Sequence, residues 1–209
     1  MRDNRIMNDC CEVRPDVPLA QRRVLRIVLW INAVMFVAEL GAGFLAHSTS
    51  LIADSVDMLG DALVYGFSFY AVGRGPAWQA RAALIKGGVM AVFGLVVVVE
   101  AGAKILRGVV PEPDLMAGVG LVALAANAAV LFLLWRHRTD DLNMRSVWLC
   151  SRNDVVANVG VLAAAGGVAV TGSAWPDITV GLLIAVLFVT SAITIIREGR
   201  RQLRPAAVV

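Results

Sequence analysis

Histidine occurs twice and cysteine three times in this chain of 209 residues. His47 and His137 are too few for a histidine cluster that captures metal at a surface. Cys10 and Cys11 are adjacent and Cys150 stands far from both, which does not read as a disulfide framework. Charge is also scarce, at 17% of residues. No polar stretch is long enough for a separate soluble domain. The first 26 residues are mostly polar and charged. They hold no short apolar region followed by a small-residue cleavage site, so no secretory signal peptide is expected.

Apolar sequence is abundant. Hydrophobic residues make up 58% of the chain, and the mean hydropathy is +0.73. These values point to a polytopic membrane protein. A hydrocarbon core of ~30 Å needs ~20 helical residues per crossing. Six stretches qualify, near 24–46, 50–72, 82–106, 114–135, 146–172 and 177–197. The expected fold is an all-α bundle of six transmembrane helices. Residues 1–23 read as an N-terminal arm, 24–198 as the membrane domain and 199–209 as a short tail.

The arginines flank the spans. Arg2, Arg5, Arg14, Arg22, Arg23 and Arg26 precede the first, and Arg74 and Arg81 lie in the second loop. Arg136, Arg138 and Arg145 lie in the fourth loop, and Arg197, Arg200, Arg201 and Arg204 follow the last span. Lys104 and Arg107 are the cations near the third loop, on the opposite side. The positive-inside rule then predicts both termini in the cytoplasm. Positive charge set at span ends describes topology, and no nucleic-acid partner is expected. The short loops and arginine-rich ends suit a bacterial inner membrane.

The second span carries Asp54, Asp57 and Asp61, and the fifth carries Cys150, Asp154 and Asn158. An ionisable group at mid-bilayer costs about 2.5–3.5 kcal/mol. Serine, asparagine or glutamine would join helices at lower cost. Asp57 and Asp61 are four apart, as are Cys150 and Asp154, so each pair shares a helix face. Two such faces opposed would offer three carboxylates and one thiolate. Zinc takes four such ligands tetrahedrally, at about 2.0–2.2 Å for oxygen and about 2.3 Å for sulfur. A thiolate favours Zn2+ and softer ions over Mg2+, Ca2+ or Mn2+. Asp54, Asn127 and Asn158 are candidate pathway residues. Glu39 and Glu100 are equally readable as inter-helix contacts. Arg152 lies off the Cys150–Asp154 stripe. The second span is polar enough to require the bundle interior. The hydroxyls of Ser48–Ser50 are available to cap it, and Pro176 with Asp177 suits the start of the sixth helix.

The segment VAELGAGFLAHSTSLIADSVDMLGDALVYG resembles the first two spans of the cation diffusion facilitator transporters, and WLCSRNDVVANVGVLAAA resembles their fifth. The resemblance covers about residues 24–198. It implies six spans, cytoplasmic termini and export of Zn2+ or related ions from the cytosol against protons. Family ligand positions fall on Asp57, Asp61, Cys150 and Asp154. Zn2+ and Cd2+ are the expected cargo, with no permanent cofactor. Where many zinc-moving members carry histidine, this chain has Cys150. The loop GRGPAWQAR lacks the histidines that hold a further metal in other members, so no site is expected there. Most members continue into a cytoplasmic metal-binding domain. This chain stops at Val209, so the expected dimer, if formed, uses the membrane helices. Alternatives are the same class moving Co2+, Fe2+ or Mn2+, or a non-transporting metal sensor. A membrane enzyme is disfavoured: neither the DGxxAR element of phosphatidyl-group transferases nor the GxGD element of intramembrane aspartyl proteases is present.

Overall fold

The computed structural model describes residues 19–71, 76–138 and 142–203. They form six helices: α1 (Leu19–Leu45), α2 (Thr49–Ala71), α3 (Pro76–Arg107), α4 (Pro113–Trp135), α5 (Leu142–Thr171) and α6 (Trp175–Leu203). No strand occurs among the described residues. The arm over 1–18, with Cys10 and Cys11, and the tail over 204–209 lie outside them.

Several helices run past the limits expected from hydropathy. α3 begins at Pro76 rather than near residue 82, because Arg81 ends the apolar run without ending the helix. Proline is tolerated in the first turn, where its missing N–H would have no partner. α6 continues to Leu203, with Arg200 and Arg201 in its last turn, where cations meet the negative end of the helix dipole. α1 begins at Leu19, so the expected boundary between arm and span falls inside a helix.

Among the described residues, five helices are long and apolar enough to cross a bilayer, over Arg22–Leu45, Gly87–Arg107, Pro113–Trp135, Val147–Thr171 and Trp175–Arg201. α2 departs from them in composition, not in length. Its 23 residues rise about 34 Å, enough for the hydrocarbon core. Asp54, Asp57 and Asp61 make it the most acidic of the helices. The fold shelters this helix by packing it against α1, α3, α5 and α6. Residues 48–56 are all buried. Outward faces are apolar: Trp30, Val34 and Val37 on α1, and Val92, Leu95 and Val99 on α3, are exposed at helical spacing. Such stripes face lipid when the bundle is in a membrane.

One end of the bundle is tied by a buried polar knot. The Asp177 carboxylate accepts from the N–H groups of Thr49 at 2.8 Å and Ser50 at 3.0 Å. It also accepts from Ser48 Oγ at 2.7 Å and Ser50 Oγ at 2.6 Å. Lys104 Nζ donates to Asp177 Oδ2 at 2.5 Å and to the His47 carbonyl. Ser48 Oγ accepts from the Leu51 N–H at 3.2 Å, the hydroxyl cap expected from sequence. α2 therefore has two caps, one local and one from α6. Gly181 permits the close approach this requires: a Cβ there would lie 2.8 Å from the Thr49 carbonyl carbon. The Glu112 N–H bonds the Ala46 carbonyl at 3.0 Å, bringing the α3–α4 turn to the same end. The start of α1 and the end of α6 fall at the other end.

Candidate metal site

Helices α2 and α5 are in contact, and a specific bond fixes their register. Asn158 Nδ2 donates to Asp54 Oδ1 at 3.4 Å and to the Asp154 carbonyl at 2.9 Å. The two helices run antiparallel. One turn from that contact along each helix, Asp154 comes level with Asp57 and Met58. A further turn brings the backbone position of Cys150 level with Asp61. The acidic stripe of α2 is thus on the side of the helix that meets α5.

Asp154 is buried, and Asp57 and Asp61 are half-buried. Each of the three has interactions within the bundle. Among the described residues, no group of three or more histidine, cysteine, aspartate or glutamate side chains is gathered tightly enough to hold a metal ion. The Cys150 side chain lies outside the described residues. The elements are therefore aligned, and the complete four-ligand set stays at the level of a proposal.

Other residues singled out from sequence take definite positions. Asn127 on α4 is buried, and its Nδ2 approaches Met58 Sδ at 3.9 Å. It is an inter-helix contact beside the acidic stripe. Glu39 is fully buried on α1, and its carboxyl lies against that of Asp54. Glu100 lines a cavity of ≈ 60 Å³ with His47, Lys104, Arg107 and Val109, at the knotted end and away from the stripe. Arg152 is exposed, with its guanidinium carbon 5.9 Å from the centre of the Trp148 ring. Trp148 stacks edge-on with Trp135 at 5.7 Å, and Arg138 covers Trp135 at 3.8 Å. Arg152 therefore belongs to an arginine–tryptophan ladder joining α4 and α5, not to the metal stripe.

Sequence reading missed the Lys104–Asp177 pair. Two signals were available: a lone lysine ending an apolar helix, and an aspartate opening the last one.

The chain matches the family model described as cation efflux transmembrane domain over residues 25–204. It is 25% identical over 203 residues to the metal cation efflux system protein CzcD of Cupriavidus metallidurans, covering 88% of this chain and 64% of that protein. It is 26% identical over 201 residues to the zinc transporter ZitB of Escherichia coli, covering 90% and 64%. It is 23% identical over 195 residues to the cadmium, cobalt and zinc/H(+)-K(+) antiporter of Bacillus subtilis, covering 86% and 62%. The chain spans under two thirds of the length of these relatives. With its apolar helices, it is an integral membrane protein. The matched region takes in α2 to α6, most of α1 and both polar stripes, and the chain belongs to the cation efflux family.

Proposed function

We propose that this chain exports a divalent cation of the Zn2+ and Cd2+ class from the cytosol in exchange for protons. The ligands are Asp57 and Asp61 from α2 and Cys150 and Asp154 from α5. The observation that carries this reading is the Asn158–Asp54 bond, which sets the two stripes in register inside the bundle. The names of the relatives support the substrate class, since they refer to zinc, cadmium and cobalt.

The chemistry follows from the donor set. Carboxylates and a thiolate bind metal only when deprotonated, so metal binding releases protons. A thiol with an ordinary pKa of about 8.5 carries its proton at neutral pH, and the incoming ion displaces it. Rocking of the bundle about the site then exposes the ion to the far side, where protons displace it. The arginine distribution supports a topology with both termini in the cytoplasm.

Asp61→Ala and Asp154→Ala each remove one of four ligands. Each variant is expected to lose Zn2+ flux in proteoliposomes while eluting as a folded protein in detergent. Wild-type flux from either would refute the ligand assignment.

A further inference from the structure

Arg152 stands where an unpaired charge is costly. The apolar run of α5 covers Val147–Thr171, and Arg152 falls inside it, about 7 Å along the helix axis from its start. The residue is exposed, and it heads a stripe that continues through the exposed Val156, Val159 and Val170. Such a stripe faces lipid when the bundle is in a membrane. Asp154 is buried on another face of the same helix. Among the described residues, no carboxylate pairs with Arg152 or with Arg138. A guanidinium keeps its proton, so on a lipid-facing surface it has to reach an anion. Its long stem lets the charge rise to the membrane surface.

The neighbouring side chains show where it points. Its guanidinium carbon lies 5.9 Å from the centre of the Trp148 ring, one turn nearer the end of the bundle. Trp148 meets Trp135 edge-on, and Arg138 lies 3.8 Å over the Trp135 ring. Arg138 Nη1 donates to the Trp135 carbonyl at 2.6 Å, which leaves its other N–H groups available. Tryptophans gather at the headgroup level of a bilayer. The arginine distribution predicts this end to be cytoplasmic, and the cytoplasmic leaflet is anionic.

We propose that Arg138 and Arg152, held on the faces of Trp135 and Trp148, bind the headgroup of an anionic phospholipid of the cytoplasmic leaflet. The planar guanidinium matches phosphate oxygens with two parallel N–H bonds. The tryptophan rings already restrict both arginines, so less freedom is lost on binding. The valine stripe below Arg152 gives the acyl chain an apolar surface. A zwitterionic headgroup carries an ammonium that offsets its phosphate, so the anionic lipid is preferred. A soluble phosphate has no acyl chain to bring it to the depth of Arg152. The site uses none of the metal ligands and does not rest on the transport reading.

Native mass spectrometry of the purified chain in nonionic detergent, titrated with dioleoyl phosphatidylglycerol or dioleoyl phosphatidylcholine, tests the site. The expected result is saturable binding of phosphatidylglycerol and weaker retention of phosphatidylcholine. Affinity for phosphatidylglycerol should fall about fivefold in Arg152→Gln, and about fivefold again when Arg138→Gln is added. Arg107→Gln removes an exposed cation at the opposite end and should leave it unchanged. Equal retention of the two lipids by the wild type would overturn the site whatever the variants do. Unchanged affinity in the double variant would overturn it too. Displacement of the lipid by an equal concentration of inorganic phosphate would assign the arginines to a soluble anion and sink the lipid site. Protein that binds phosphatidylglycerol as expected but moves no Zn2+ would sustain this site and count against the transport reading.

Discussion

In the proposed ligand set, Cys150 is the residue that would decide what kind of ion the chain prefers. A thiolate is the softest donor in the set, and it stands where an imidazole would make a harder one. Replacing it tests that preference directly. In Cys150→His, the ratio of Cd2+ to Zn2+ flux should fall, about tenfold, while Zn2+ flux persists. An unchanged ion profile would mean that Cys150 is not a ligand. Spacing alone shows that Asp57 and Asp61 share a face, as do Cys150 and Asp154. Spacing cannot show that the two faces meet; the Asn158–Asp54 bond shows that α2 and α5 touch one turn away from those pairs. Arg152 is a different case. Its partner Trp148 lies four positions earlier, so the pairing was legible from helical geometry.

At the scale of elements, the Asp177 knot holds the entry of α2 against α3 and α6. Lys104 and Asp177 are buried, with 2% and 0% of their side chains exposed. Removing one partner of a buried pair costs about 3–5 kcal/mol, because the other charge stays buried. Asp177→Ala also strips the caps from Thr49 and Ser50. It should therefore lower the thermal midpoint in detergent much more than Glu100→Ala, which alters a half-buried position. Equal midpoints for the two variants would show that the knot contributes little. The helices themselves were legible because each apolar run matches the bilayer thickness. Their ends were not, since charge terminates an apolar run before it terminates a helix, as α3 and α6 show. The knot was hidden because it joins residues 73 and 127–129 positions apart.

At the scale of the whole molecule, the described helices form one bundle with its acidic helix packed against α1, α3, α5 and α6. The turns at Ala46–Ser48 and Gly108–Glu112 lie at the end with the Asp177 knot. The charge distribution predicts an orientation with both termini in the cytoplasm. In a background without the native cysteines, Ser173→Cys should react with an impermeant maleimide on intact cells. Arg136→Cys should react only after permeabilisation. The reverse pattern would invert the topology and with it the direction of export. Family membership was legible from two segments, because the acidic pair of α2 and the mixed pair of α5 occur in the spans where the family places them.

The most direct measurement is Zn2+ and Cd2+ flux in proteoliposomes under an imposed pH gradient, with Asp154→Ala in parallel. Flux that follows the proton gradient in the wild type and disappears in the variant is the predicted result. Tight Zn2+ binding with no flux of either ion at any gradient would contradict a transporter and point to a metal sensor.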